Sequence, residues 1–277
     1  MTRRISLIAL LTALATQLTT AQVNYGGGTY SENFNTIFST DGTGTAQMAV
    51  GAIGVQDAIP TLTTWRAARV AGTGTGTFAL YADYGSSATG RLYSYGYTAG
   101  SLEYYERALG SLASGTTVPG FGTYFINTSL DTYEVLTFNF DREVWRTGSV
   151  AIDQSLAFAY GFSDNLGITT DNFLTTASML SYAALNATAP ASLGNANTSQ
   201  DGNADPYKAA VEASITGISW APGETLFIRW TDANDGGNDA GIAIDNLTMV
   251  ARVPEPSCGL LAGLGLALVA VLRRKGH

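Results

Sequence analysis

The chain has 277 residues, only 13% of them charged, 32 glycines and a net charge of −8. Within residues 22–252, a length suited to one all-β domain, nine basic residues meet twenty-one acidic ones, and a balance of −12 repels phosphate backbones and excludes nucleic acid as a partner. The only histidine is the last residue, His277, and the only cysteine is Cys258 near the C-terminus, so the body of the chain holds no Ser-His-Asp triad, Cys-His dyad, His-ligated zinc or internal disulfide.

Arg3-Arg4 opens a basic segment, residues 5–15 are apolar, and Thr19-Thr20-Ala21 supplies small residues before Gln22. This order predicts a secretory signal peptide over residues 1–21. From Asn24 onward short strand-like runs are separated by Gly, Asn, Asp and Ser. Strands are expected at 31–38, 64–70, 77–83, 92–97, 107–112, 124–127, 133–140, 156–162, 211–218, 225–231 and 241–250. Their number and spacing predict an all-β ectodomain over residues 22–252, an antiparallel two-sheet β-sandwich of jelly-roll type. Alternation is clearest at 135–140, where Leu136, Phe138 and Phe140 share one face. Residues 171–185 have helical potential, crowded by Thr and Ser, and the Gly-Thr alternation at 71–77 reads as a mobile loop. Gly72, Gly74 and Gly76 have the wrong spacing for a dinucleotide-binding loop, and the glycines read as punctuation.

Four stretches are candidates for chemistry. Tyr93, Tyr95 and Tyr97 alternate onto one face of a strand, with Tyr104 and Tyr105 close behind. The row suits a sugar-binding platform, since rings cover the apolar faces of pyranoses, and it equally suits a core-facing row with hydroxyls at the rim. Glu103 and Glu106 lie in this Tyr-rich stretch and read as surface. No carboxylate pair stands out for glycoside hydrolysis, and catalysis is not expected. Asp141, Glu143 and Trp145 share one strand face while Arg142, Val144 and Arg146 share the other, which predicts Arg-carboxylate pairs between strands.

The oxygen-rich loop holds Asp232, Asn234, Asp235, Asn238 and Asp239, turning on Gly236-Gly237. Calcium takes six to eight hard oxygen ligands, and such a loop can supply them. The EF-hand pattern is broken by Gly236 and Ala243, and the same residues also suit a solvated hairpin. At the C-terminus Val253-Pro254-Glu255-Pro256-Ser257 forms an extended hinge, followed by an apolar run at 258–272 and a basic cluster, Arg273-Arg274-Lys275. As a helix the apolar run spans roughly 22 Å, short of the roughly 30 Å hydrocarbon core. That predicts a short transmembrane stop with its basic cluster in the cytoplasm.

The motif, short hydrophobic helix and basic cluster at 253–277 together resemble the PEP-CTERM sorting signal. The resemblance implies export through the inner membrane, an exosortase as partner, and a destination at the cell surface or in an extracellular matrix rich in exopolysaccharide. Ala243-Ile244-Asp245-Asn246 resembles the last strand of jelly-roll carbohydrate-binding modules. That resemblance implies a structural calcium held by Asp245 with Glu32 and Asn33 of the opening strand. Residues 141–146, Arg107-Ala108-Leu109-Gly110 and the Arg229-Trp230-Thr231-Asp232 motif resemble an ectodomain recurrent in PEP-CTERM proteins, to which no activity attaches. The expectation is an exported, non-catalytic protein associated with extracellular polysaccharide, with calcium as its cation. A structural matrix protein without a specific ligand, or a secreted polysaccharide hydrolase, are the alternatives.

Overall fold

The computed structural model describes residues 22–37, 45–50, 56–59, 61–75, 78–96, 106–163 and 167–253. Tyr97, Tyr104, Tyr105 and Glu103 lie outside the described residues, as do the signal peptide and the tail from Pro254. No helix among the described residues is long and apolar enough to cross a membrane.

Two mixed, mainly antiparallel sheets form a sandwich. The strands are β1 (Val23–Tyr25), β2 (Thr29–Glu32), β3 (Thr45–Val50), β4 (Asp57–Ile59), β5 (Leu62–Ala71), β6 (Phe78–Asp83), β7 (Arg91–Tyr95) and β8 (Ala108–Leu112). The chain continues through β9 (Val118–Asn127), β10 (Tyr133–Arg146), β11 (Gln154–Phe162), β12 (Leu180–Ser181), β13 (Ala187–Ala189), β14 (Lys208–Trp220), β15 (Thr225–Asp232) and β16 (Gly241–Arg252). One sheet runs β12-β11-β15-β9-β5-β4, with β1 parallel to β9 and β13 on β11. The other runs β14-β10-β16-β8-β7-β6-β3, with β2 on β16 and β6 parallel to β7.

The core between the sheets follows from alternation. Leu136, Phe138 and Phe140 of β10 are fully buried, as the period-two pattern requires. They meet aromatic rings from the opposite sheet: Phe138 lies 5.5 Å from Phe158, and Phe140 packs edge-on to Trp230 at 5.5 Å. Trp65, Phe121 and Phe158 also contact the Trp230 ring, making it the centre of the sandwich.

Along β16 the alternation breaks once. Ile242 and Ile244 enter the core, and so do Leu247 and Met249, so the inward phase changes between Ile244 and Leu247. The cause is a bulge, since Asn139 pairs with Thr248 and Asp141 with Asp245, leaving two residues of β16 opposite one of β10. Asn246 takes φ 49°, a left-handed conformation that asparagine tolerates. Alternation with Ile244 puts Asp245 on the outer face, and the bulge takes Asn246 off the core face as well.

Both outer faces are also covered. Ile168, Phe173, Leu174 and Met179 pack on Tyr124 and Phe227 of the first sheet. Residues 171–185, the stretch with helical potential, form turns, the two-residue strand β12 and a short 3-10 segment, Ala183–Leu185. On the second sheet Tyr93, Tyr95, Ala108, Leu112, Trp145 and Ala243 form a separate apolar layer. Gly202 lies so close over Trp145 that a Cβ there would come within 2.4 Å of the indole. Of the Gly-Thr segment, Thr73 and Gly74 donate backbone hydrogen bonds to Gly115 and Thr116, tying it to the neighbouring hairpin.

Candidate functional site

The bulge in β16 sets the site. Asp245 stands directly opposite Asp141 of β10, and Glu143 of β10 stands opposite Lys208 of β14. Glu106, two residues before β8, completes the group. Glu106, Glu143 and Asp245 each bring a carboxylate oxygen within 4.8 Å of the others. Glu143 and Asp245 are each only 1% exposed.

Charge in this group is poorly balanced. Lys208 Nζ lies 3.2 Å from Glu143, 3.3 Å from Asp141 and 3.9 Å from Glu106. Burial works to lower the lysine's pKa, but the carboxylates of Glu143 and Asp141 outweigh it and hold the ammonium above its ordinary value. Burial pushes the Glu143 carboxyl up to about 7, although Lys208 opposes the rise. Asp245 is pushed up to about 9, first by burial, then by the charge on Glu143 and by contact with Glu106. Trp145 Nε1 donates to Glu143 Oε2 at 2.9 Å and Lys208 Nζ faces Glu143 Oε1 at 3.2 Å, while Asp245 Oδ1 has no hydrogen-bond partner.

The cation set expected from the sequence is divided among three places. Asp245 joins Glu106 and Glu143, as described above. Glu32 and Asn33 instead line a groove of about 380 Å³ with Ser31, Asn246, Leu247 and Thr248, where β2 pairs with β16. Glu32 accepts from the Phe34 N–H at 2.9 Å, and burial raises its pKa. In the acidic loop Asp232 is buried and accepts from Ser111 Oγ at 2.8 Å, and Asp239 accepts from the Asp235 N–H at 3.1 Å. Asn234 and Asn238 are exposed. The loop is clasped by Ser149, which exchanges hydrogen bonds with Asn238 at 2.6 and 2.8 Å. Burial raises Asp232 well above the carboxylate range, the Ser111 hydroxyl opposing it, and raises Asp239 to about 7.

The tyrosine platform is corrected. Tyr93 and Tyr95 are 1% and 0% exposed, their rings stacked 5.0 Å apart, and Tyr95 lies parallel to Trp145 at 5.9 Å. Rings so enclosed offer no face to a sugar. Tyr93 and Tyr95 are buried in the apolar layer on the outer face of the second sheet, with Tyr93 Oη donating at the rim to Ser87 or the Thr89 carbonyl. The expected Arg-carboxylate pairs are also replaced. Arg142 donates to the Tyr207 carbonyl, Arg146 to those of Gly85 and Asn197, and Arg229 to those of Phe173 and Thr176. These arginines pin loops to the sandwich, and Lys208 alone supplies the ion pairs found among the described residues.

No protein-family model and no curated protein sequence matches the chain. Solved structures do match. One is a family 61 carbohydrate-binding module, TmCBM61, in complex with beta-1,4-galactotriose, at 10% identity over 53% of this chain and 72% of that one, with a TM-score of 0.28. Another is the CBM22-1 xylan-binding domain of Xyn10C from Paenibacillus barcinonensis, at 11% identity over 75% of this chain and 99% of that one, with a TM-score of 0.30. A third is the arabinose-bound MgGH51 α-L-arabinofuranosidase, at 11% identity over 84% of this chain and 29% of that one, with a TM-score of 0.34. At these scores the likenesses carry no inference about ligand or activity.

Glu106 and Glu143 were not singled out as ligands by sequence. The structure supplies the missing signal: Arg142, Glu143, Val144 and Trp145 are buried in succession, so this end of β10 is enclosed on both faces. An acid on such a strand must find a partner.

Proposed function

We propose that the chain is an exported, non-catalytic cell-surface or matrix protein, sorted through a PEP-CTERM-type tail and associated with exopolysaccharide. The observation that carries the association is the groove between β2 and β16. Its size suits a small ligand, and its polar side chains are a hydroxyl pair, Ser31 and Thr248, an amide pair, Asn33 and Asn246, and one carboxylate, Glu32. These are the groups that hydrogen-bond sugar hydroxyls. The bulge turns Asn246 toward solvent, where its Nδ2 is held by Asp141 Oδ2 at 2.9 Å. A non-catalytic role accords with the burial of Glu143 and Asp245, since a glycosidic bond must reach its carboxyl pair through a cleft.

The reading is tested by calorimetric titration of the purified protein with a panel of neutral and acidic bacterial polysaccharides, with polymer length followed in parallel. Saturable binding is expected, weakened about tenfold by Asn246→Ala, a loss of about 1.4 kcal/mol, with polymer length unchanged. Absence of binding across the panel would favour a structural matrix role, and shortening of the polymer would favour a hydrolase.

A further inference from the structure

We propose that Glu106, Glu143 and Asp245 form a binding site for a hard divalent cation, calcium, on the outer face of the second sheet. The site is separate from the acidic loop, adjoins the groove through Asn246 and Asp141, and does not depend on polysaccharide binding. Three observations carry it. The first is convergence, with three carboxylate oxygens within 4.8 Å of one another. The second is an unanswered acceptor: Asp245 is 1% exposed and its Oδ1 has no hydrogen-bond partner. A buried carboxylate oxygen without a donor is unfavourable, and a cation removes that penalty.

The third observation is the charge count. Among the described residues Lys208 is the one cation paired with Glu106, Asp141 and Glu143, and Asp245 adds a fourth acid to the same patch. One ammonium faces four acidic side chains, and a divalent ion that displaces their protons nearly completes the balance. The donor set is oxygen alone, which selects calcium-like ions over zinc or copper. Glu106 has a side chain 37% exposed and gives the ion a way in, while Glu143 and Asp245 form the enclosed wall.

The indole of Trp145, hydrogen-bonded to Glu143, makes the site directly observable. Terbium(III) takes the oxygen ligands calcium takes and luminesces when an adjacent indole transfers excitation to it. Titration of the full chain with terbium under tryptophan excitation should give sensitised emission that calcium competes away. Trp145→Phe should lose most of that emission while calorimetry still shows calcium binding. Asp245→Asn should weaken calcium by at least about tenfold, and Asp235→Asn, in the acidic loop, should leave it unchanged. Absence of both sensitised emission and calcium heat in the wild-type protein overturns the proposal. So does terbium emission that survives Trp145→Phe at full strength, or calcium affinity that falls in Asp235→Asn and not in Asp245→Asn. If Asp245→Asn does not fold, the wild-type and Trp145→Phe titrations decide the matter.

Discussion

Asp239 shows what a buried carboxylate does when one of its oxygens is answered and the other is not. It is 3% exposed, Oδ1 accepts from the Asp235 N–H, and Oδ2 has no hydrogen-bond partner. Burial is the main cause of its rise to about 7, the charge on Asp235 adds to it, and Asp232 lies near enough to be raised by Asp239 in turn. A raised carboxyl stabilises the fold below its unfolded-state pKa, and that contribution is lost as pH climbs through the folded-state value. The folded protein holds the proton that the unfolded chain releases between about 4 and about 7, so stability falls with pH across that window. Asp239→Asn keeps the acceptor for Asp235 and removes the charge. Thermal melts should show the variant matching wild type near about pH 4 and exceeding it near about pH 8, by up to about 4 kcal/mol at about 1.4 kcal/mol per pH unit. An equal gain at both pH values would mean that ionisation of Asp239 is not the cause.

At the scale of elements, glycine proves to be more than punctuation. Gly110 lies inside β8, and a Cβ there would fall 2.2 Å from the Ile242 carbonyl oxygen and 2.7 Å from Ala243 Cα. Those are backbone atoms of β16, which β10 holds on its other side, so they cannot give way cheaply. Gly110→Ala should lower stability by about 1–3 kcal/mol, as overpacking does, and calorimetric melting would register it. Gly115→Ala, whose Cβ meets nothing within 4 Å, should be neutral. Equal effects of the two would refute the close-approach argument.

The same scale shows what could be read from sequence. The long alternating strands β10, β15 and β16 lie where the pattern placed them, because one or both of their faces are continuously apolar. β1, β4, β12 and β13 have only two or three residues each, too few for a period of two to register. β10 runs on to Arg146 because its charged end is enclosed by loops, which a count of hydrophobic residues does not reveal. Asp245 was recognisable as an acid on an apolar strand. Its partners were not, because Glu143 reaches it only through the pairing of β10 with β16, and Glu106 only through the pairing of β8 with β16.

In the whole molecule the two ends of the described chain meet. β1 joins the first sheet and β2 the second, and between them Tyr25 Oη donates to the Gly28 carbonyl at 2.6 Å and accepts from the Ala251 N–H at 2.8 Å. The hydroxyl therefore ties the N-terminal segment to the end of β16. That strand is interior, with β10 on one side and β8 and β2 on the other, and it ends at Arg252, next to Val253 of the proposed sorting motif. Force applied through the tail thus reaches a strand that cannot leave without opening the second sheet. Under the proposed sorting reading, such an attachment suits a folded body delivered intact, with the address written in the tail. A secreted reporter carrying residues 250–277 should therefore reach the cell surface or matrix of an exosortase-bearing host without the sandwich. Cell fractionation should show that destination lost when the exosortase is deleted, and reduced when Pro254 and Pro256 are both replaced by Ala, since the two prolines of the proposed motif are then gone. The same distribution with and without the exosortase would leave the tail as a plain membrane anchor and remove the sorting reading.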